Sequence, residues 1–411
     1  MNYSQAIEYL NGFSKSGTPV ADLSRFSELM RVLGDPQKEL DFVHVAGTNG
    51  KGSVCEYVSL ALQRAGNNTG KFTSPYINVI EERIQVNNKP ISQEDFALYI
   101  SMAKEGADRT GCEDYSQFEI LNAAAFLCFK DKKCGITVLE TGIGGLLDST
   151  NIISPKISVI TTVDLDHTAM LGGTRQEIAR HKAGIIKRGC PVVVSPDQFE
   201  EVVRVLEDKA RELNAPFVMP ADSDIKLISA DLEGTVFKYK GERFKTKMCG
   251  KHQAVNAAAA IETLRLLNAA PSHIKEALLT AAVPARTEQS GGWIIDGAHN
   301  PSGAGALAEL LKTVKGTKVL LTGMLTTKDW QGSLEKLVPL FDCVIAVDFF
   351  AENAVEKEKI AQFAQDMGKK AVTAESLEEG FQKAEEQNAD YRILCGSLYL
   401  CGAARRILSE K

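Results

Sequence analysis

With 411 residues, 44% of them apolar, the chain is long for one domain and has enough hydrophobic content for two buried cores. Its net charge of −6, without a basic stripe interleaved with aromatics, excludes a general nucleic-acid binder, so anionic ligands must find local positive groups. Nine cysteines without a Cys-x-x-Cys pair argue against a disulfide framework or a zinc cluster, and no apolar run reaches the length of a membrane span. No membrane association is expected. The N-terminal MNYSQAIEYLNGF lacks the basic start and apolar stretch of a signal sequence, so a cytoplasmic protein is expected.

Along the chain, β-rich apolar runs alternate with amphipathic helical stretches: FVHVAG then SVCEYVSLALQRAG, GITVLETG, ISVITTVDLD, QEIARHKAGII, PVVVSP and EEVVRVLEDKARELN. This alternation predicts βαβ units around a parallel sheet, whose buried strands read as continuous Val/Ile/Leu runs. A polar stretch near 221–249, with shorter alternating strands and turn residues, predicts a small antiparallel insertion. NAAAAIETLRLL and PSHIKEALLTAAV read as helices, and PARTEQSGG, rich in Pro, Gly and polar residues, reads as a linker. From GWIIDGAHN to GAARRILS a second strand–helix alternation predicts a smaller open α/β domain. The expected fold class is α/β: a phosphate-loop parallel-sheet ATPase domain over 1–284, a linker over 285–291 and a Rossmann-like domain over 292–411.

The stretch HVAGTNGKGS (44–53) lies between a β-branched run and a helical pattern. It departs from the usual phosphate loop of Gly, four residues, Gly-Lys-Ser/Thr. Val45 stands where the first glycine would be, and Gly52 follows the lysine, so the hydroxyl comes one place late at Ser53. The context is still that of an anion site: glycines bring backbone N–H groups close, a helix N-terminus adds partial positive charge, and Lys51 can neutralise phosphate oxygens. Thr48, Asn49, Gly50, Lys51, Gly52 and Ser53 are therefore the candidate nucleotide loop, with Ser53 able to reach a magnesium ion. A plain strand-to-helix turn is the alternative, disfavoured by the strand, the helix and the lysine together. Glu140 follows ITVL and His167 follows SVITTVDLD, so both fall where parallel strands end, the edge at which open α/β sheets bind ligands. A carboxylate and an imidazole near a triphosphate suit a divalent cation, although either residue read alone could be a cap or a satisfied core group.

HVAGTNGKGS resembles the variant loop of the Mur-type ligases, specifically of folylpolyglutamate synthase and dihydrofolate synthase. The likeness continues in order through DLSRFSELMRVLGDP before the loop, then FTSPYINVIEERI, FEILNAAAF, ETGIGGLLDSTN, ITTVDLDHTAMLGGTRQEIARHKAGI, GKHQAVNAAAA, PARTE, DGAHNP, LTGMLTTKDW and CGSLYL. The resemblance implies ATP and Mg2+ as cofactors, with two ion sites that draw on Ser53, Ser74, Glu140 and His167. It implies that Lys182 is carbamylated and organises the second ion, although His181 replaces the Glu usual beside it. It assigns Asn256 to adenine, Arg286 and Asp296 to ATP, and His299 to the neighbourhood of the phosphates, with the nucleotide closed between two domains. Lys51, Lys182 and His299 are the catalytic residues so implied. On the residues alone, Lys182 reads as a lysine on a solvated helix face, Asn256 as a helix-start residue and Arg286 as a solvated charge.

A triphosphate loop, ion ligands and a second domain are compatible with a kinase, a switch GTPase or a ligase. The absence of Asn-Lys-x-Asp after the loop disfavours the switch, while spacing alone leaves the kinase open. The resemblance implies a ligase in which ATP phosphorylates a carboxylate and the amine of L-glutamate attacks the acyl phosphate. Only 43 residues precede His44, too few for the UDP-binding domain of the peptidoglycan enzymes. A folate or dihydropteroate is thus the expected acceptor, another Mur-type amino-acid ligase the alternative, and a monomer the expected state. The pteroate would meet Asp22, the stretch Ser116-Gln117-Phe118 and the stretch Leu146-Leu147-Asp148, where Leu146 replaces the family's usual Arg. Ala285 replaces the usual Gly before Arg286.

Overall fold

The run FVHVA becomes the strand Phe42–Ala46, buried along its whole length, as expected of a β-branched and aromatic segment with no polar face. It lies at the centre of the first sheet in the structure, a computed structural model that describes residues 1–14, 21–349 and 353–409. In spatial order the eight strands are Lys89–Pro90, Ile84–Val86, Thr69–Phe72, Ile136–Glu140, Phe42–Ala46, Ile157–Ile160, Val192–Val194 and Phe217–Val218. The six from Thr69–Phe72 onward are parallel, and the two short strands at the edge are antiparallel. Register sets the working edge: Val45 is level with Glu140 on one side and Val159 on the other. The chain therefore leaves three neighbouring strands at Gly47, Thr141 and Thr161 along one rim.

The chain divides into two compact units, Met1–Ile225 with Val255–Leu279, and Lys226–Ala254 with Thr280–Lys411. In the first, helices pack Phe26, Phe96, Ile120 and Phe126 into one apolar cluster and Ile178, Ile185, Val202 and Leu206 into another. The second holds a sheet in the order Glu288–Ser290, Trp293–Asp296, Tyr391–Cys395, Lys318–Thr322, Cys343–Val347, Lys370–Ala374, parallel except for its first strand. The expected antiparallel insertion is a three-stranded sheet of Glu242–Thr246, Gly234–Tyr239 and Ile225–Asp231. Among the described residues no helix is long and apolar enough to cross a membrane.

These units do not follow the expected boundaries. Residues 226–254 group with the second unit, and the expected linker 285–291 contains the strand Glu288–Ser290. A three-residue edge strand needs only backbone pairing, here Gln289 opposite Ile294, so it leaves no hydrophobic period to read. The strands Thr69–Phe72 and Lys370–Ala374 are hidden for another reason: their lysines and threonines break the continuous apolar run by which a buried strand is read.

His44, within the central strand, is fully buried, and its Nε2 lies 2.9 Å from the Thr150 hydroxyl. Burial, helped by the Lys187 charge, pushes the imidazole down to about 3. The folded protein refuses a proton that the unfolded chain accepts near its ordinary value, so stability should fall as pH drops from about 6.5 towards 3. The loss from this residue is on the order of 3–5 kcal/mol over that window. Urea midpoints between pH 7 and pH 4.5 should decline more steeply for the native chain than for His44→Gln; equal slopes would refute the assignment.

Candidate active site

The loop that follows Phe42–Ala46 is pinned by the exit of the neighbouring strand Ile157–Ile160. The N–H groups of Thr48 and Asn49 donate to the Thr162 carbonyl at 2.8 and 3.3 Å, and the Thr161 hydroxyl donates to the Asn49 carbonyl at 2.7 Å. The Thr48 hydroxyl donates to the Asp164 carbonyl and accepts the Asp164 N–H, at 2.9 and 3.0 Å. Thr48 and Asn49 thus fix the loop, and the amides suited to an anion are those of Gly50 to Gly52, where the helix Lys51–Arg64 begins and intrahelical acceptors are missing. Gly50 has φ +90°, and a Cβ there would stand 2.3 Å from the Asn256 Oδ1. Asn256 is buried in the helix Lys251–Leu266, so it packs on the loop and is not merely a helix-start residue.

Two lysines converge on this loop. The Lys51 Nζ turns back to the carbonyls of Gly47 and Thr48 at 3.1 and 3.3 Å, and the Lys182 Nζ reaches the same Gly47 carbonyl at 2.7 Å. Lys182 is only 3% exposed, which corrects its reading as a solvated charge. Its helix, Arg175–Ala183, is too short for a clear polar face, and Ile178, Ala179 and Ala183 are buried with it. Burial, and next the charge of Lys51, push the Lys182 ammonium down to about 7. Thr48, Lys51, Asp166, His167 and Lys182 share one cavity with the turn Gly142–Gly144.

Glu140 ends its strand beside the loop. Its Oε2 accepts the Ser74 N–H at 3.2 Å and lies 3.9 Å from a Cβ built on Gly52. The expected ion-binding residues therefore form two groups next to Lys51: Glu140, Ser74 and the helix turn bearing Ser53, and then His167 with Lys182 in the cavity. Among the described residues no cluster of three or more His, Cys, Asp or Glu could hold a metal. One carboxylate, two hydroxyls and one imidazole do fit magnesium, which takes few protein ligands when nucleotide phosphates complete its shell. An ammonium at Lys182 does not fit a cation site; a carbamate would. Asp166, which the sequence reading passed over, lines the same cavity and accepts the His167 N–H at 2.9 Å; the acidic run DLD before His167 was the available signal.

Of the expected substrate residues, Asp148 is buried and braces the turn after Ile136–Glu140. Its Oδ2 accepts the N–H groups of Gly142 and Ile143 at 2.9 and 3.0 Å, and its Oδ1 accepts the Thr150 N–H at 3.1 Å. Burial pushes its carboxyl up. Phe118, one residue into the helix Gln117–Asp131, meets the same turn: its Cζ lies 2.8 Å from a Cβ built on Gly142. The Arg83 guanidinium stands 5.8 Å from that ring and 5.6 Å from Tyr76. Asp22 is exposed and accepts the Ser24 N–H at 2.8 Å.

The second unit carries its own residues at the end of Trp293–Asp296, level with Cys395. The Asp296 Oδ2 accepts the Thr287 N–H and hydroxyl at 2.8 and 3.0 Å, and its Oδ1 accepts the Ala298 N–H at 2.9 Å. Burial pushes its carboxyl up, against the opposing charge of Arg286. His299 Nδ1 lies 2.7 Å from the Gly297 carbonyl; since a carbonyl only accepts, Nδ1 carries the proton and Nε2 is the acceptor in the neutral ring.

A strand–loop–helix anion site with convergent lysines, at the C-terminal rim of a parallel sheet, defines a phosphate-loop nucleotide enzyme. Residues 45–264 match the Mur ligase middle domain, and residues 280–407 match the C-terminal domain of dihydrofolate synthetase. The dihydrofolate synthase/folylpolyglutamate synthase of Bacillus subtilis is 33% identical over 438 residues, covering 99% of each chain. Folylpolyglutamate synthase of Thermotoga maritima superposes with a TM-score of 0.86 at 32% identity, covering 99% of this chain and 96% of that one. Mycobacterium tuberculosis folylpolyglutamate synthase complexed with ADP and AMPPCP gives a TM-score of 0.90 at 29% identity, covering 100% and 98%. The chain belongs to the folylpolyglutamate synthase/dihydrofolate synthase branch of the Mur ligase family. It is an ATP-dependent ligase.

Proposed function

We propose that the enzyme joins L-glutamate to a folate through an acyl phosphate. The observation that carries this reading is Lys51 turned back onto the Gly47 and Thr48 carbonyls at the N-terminus of the helix Lys51–Arg64, which sets a positive charge beside free amides in the way a triphosphate requires. The amides of Gly50 to Gly52 and the Lys51 ammonium hold the phosphates as the folate carboxylate attacks the γ-phosphorus and ADP departs. The glutamate amine then attacks the acyl carbon, phosphate leaves, and the amine proton passes to solvent. Phosphoryl transfer asks mainly for positioning and charge neutralisation, so no protein nucleophile is required. Magnesium, held by Ser53, Ser74, Glu140 and His167, would neutralise charge across the phosphates. In the second unit, Arg286 contacts ATP and His299 lies close to its phosphates. Lys182 carries a carbamate, formed when its neutral amine adds carbon dioxide and releases a proton. Burial and the Lys51 charge, which depress its pKa to about 7, supply that amine near neutral pH. The proposed enzyme is a cytoplasmic monomer.

Tetrahydrofolates are the proposed acceptors, with dihydropteroate used less well than by relatives that carry Arg at the position of Leu146. Leu146 is 47% exposed and is anchored through its backbone, its N–H donating to the His181 carbonyl at 2.7 Å and its carbonyl accepting the Asn151 Nδ2 at 3.0 Å. Its side chain offers no hydrogen bond, whereas an arginine there gains a charged contact of ~1.5–3 kcal/mol. ADP release should require acceptor and glutamate together. Leu146→Arg should improve use of dihydropteroate by roughly 10- to 100-fold more than use of tetrahydrofolate. ADP release that ignores glutamate would refute the ligase chemistry, and equal gains on both acceptors would refute the role of Leu146.

A further inference from the structure

Arg286 stands between two non-glycine residues in the left-handed region, Ala285 with φ +54° and Thr287 with φ +51°. Such a conformation disfavours each residue, so the surroundings must impose it. On one side the Ala285 N–H donates to the Glu288 Oε2 at 3.0 Å, and the Ala285 carbonyl accepts the Gly297 N–H at 2.7 Å. On the other, Thr287 is held by Asp296 through its N–H and its hydroxyl. Glu288 is itself anchored: the Nε of Arg405, from the helix Leu398–Ser409, lies 3.0 Å from its Oε1 and 2.9 Å from its Oε2.

The guanidinium at the tip of this turn is treated differently. Among the described residues Arg286 makes no hydrogen bond or ion pair, although Thr287 and Ala285 beside it are fully tied. Its Nη1 lies 2.8 Å from where a Cβ on Gly297 would stand, so the side chain is laid along the backbone of the Asp296–Gly297 turn, where only glycine leaves room. A strained, doubly anchored backbone, with a cation at its tip that feels the Asp296 charge but makes no hydrogen bond among the described residues, is the arrangement expected of a group set in place before its ligand arrives.

We propose that Glu288, anchored by Arg405, is a positioning residue for the ligase reaction: it holds the Ala285–Thr287 turn so that Arg286 meets the nucleotide without rearranging. The proposal rests on the reading in which Arg286 contacts ATP. Glu288 touches neither substrate nor nucleotide under it and acts only through the turn.

The test is a double-mutant cycle on the full-length enzyme, reading kcat and KM for ATP in the ADP-release assay with acceptor and glutamate present, alongside thermal melts. Glu288→Ala should lower kcat/KM for ATP by about 10- to 100-fold, as misplacement of a catalytic cation does. The same change in an Arg286→Ala background should cost less than about twofold, since the group it positions is gone. Glu288→Gln keeps an acceptor oxygen for the Ala285 N–H and the shape of the side chain, and should recover most of the loss. Losses that add in the double variant would overturn the proposal by showing that Glu288 acts elsewhere. So would a fully active Glu288→Ala beside an impaired Arg286→Ala, an outcome that leaves the ATP contact standing. A fully active Arg286→Ala would remove the ATP contact itself and the proposal with it.

Discussion

Lys51→Ala should lower kcat by about 10²–10³-fold, the scale on which one preorganised charge-stabilising donor acts in a transition state. Folding should survive, because the Lys51 Nζ touches the fold only through the Gly47 and Thr48 carbonyls, at 3.1 and 3.3 Å. Each such bond contributes about 1 kcal/mol net, and both carbonyls can turn to water when the side chain is shortened. The loop keeps its other ties, from Thr48 and Asn49 to Thr162 and from Thr161 to Asn49. ATP turnover and a melting curve measured on the same preparation decide the matter. A well-folded variant with near-normal turnover would remove Lys51 from the phosphate site.

Lys182→Ala should reduce turnover by about 10- to 100-fold, the usual cost of losing a group that organises a metal site. If the native residue carries a carbamate, what the variant lacks is a negative group, so acetate or another small carboxylic acid should restore part of the activity. Protein equilibrated with 13C-bicarbonate should also show a carbamate carbonyl resonance that the variant lacks. The setting favours this chemistry: Lys182 is buried, it shares the Gly47 carbonyl with a second ammonium, and its surroundings disfavour positive charge. Full activity in Lys182→Ala, or an absent resonance together with no rescue, would refute the carbamate.

The loop itself was legible because its signal is local. A β-branched run, a glycine-rich turn, one lysine and a helical pattern are contiguous between Phe42 and Arg64, and the structure turns them into strand, loop and helix in that order. Lys182 was misread because helix Arg175–Ala183 shows too few turns for its buried side to stand out, and nothing adjacent in sequence announces that Gly47 will cover it. Asp148 illustrates a different limit. The resemblance sets it beside the substrate, and nothing in its neighbouring residues shows that in the fold its oxygens accept the backbone N–H groups of Gly142, Ile143 and Thr150. The expected linker failed for want of length, since the pairing of Glu288–Ser290 with Trp293–Ile295 is made by backbone groups and leaves no side-chain period.

By itself, the sequence determined the class of fold, the nucleotide loop and the family. These depend on hydrophobic periodicity and on short motifs whose residues are neighbours in the chain, so their physics is complete within a dozen positions. Tertiary structure alone decided which charges are buried, which carboxylates serve the backbone, and which side chains converge. Lys51 and Lys182 are 131 positions apart, and they meet because the register of parallel strands brings the ends of Phe42–Ala46 and Ile157–Ile160 to one rim. The Arg286 turn depends likewise on Arg405, which is 119 residues away in the chain yet holds Glu288 at 3.0 Å. Desolvation and hydrogen-bond geometry act through space, so a side chain's electrostatic role is set by what the fold packs around it.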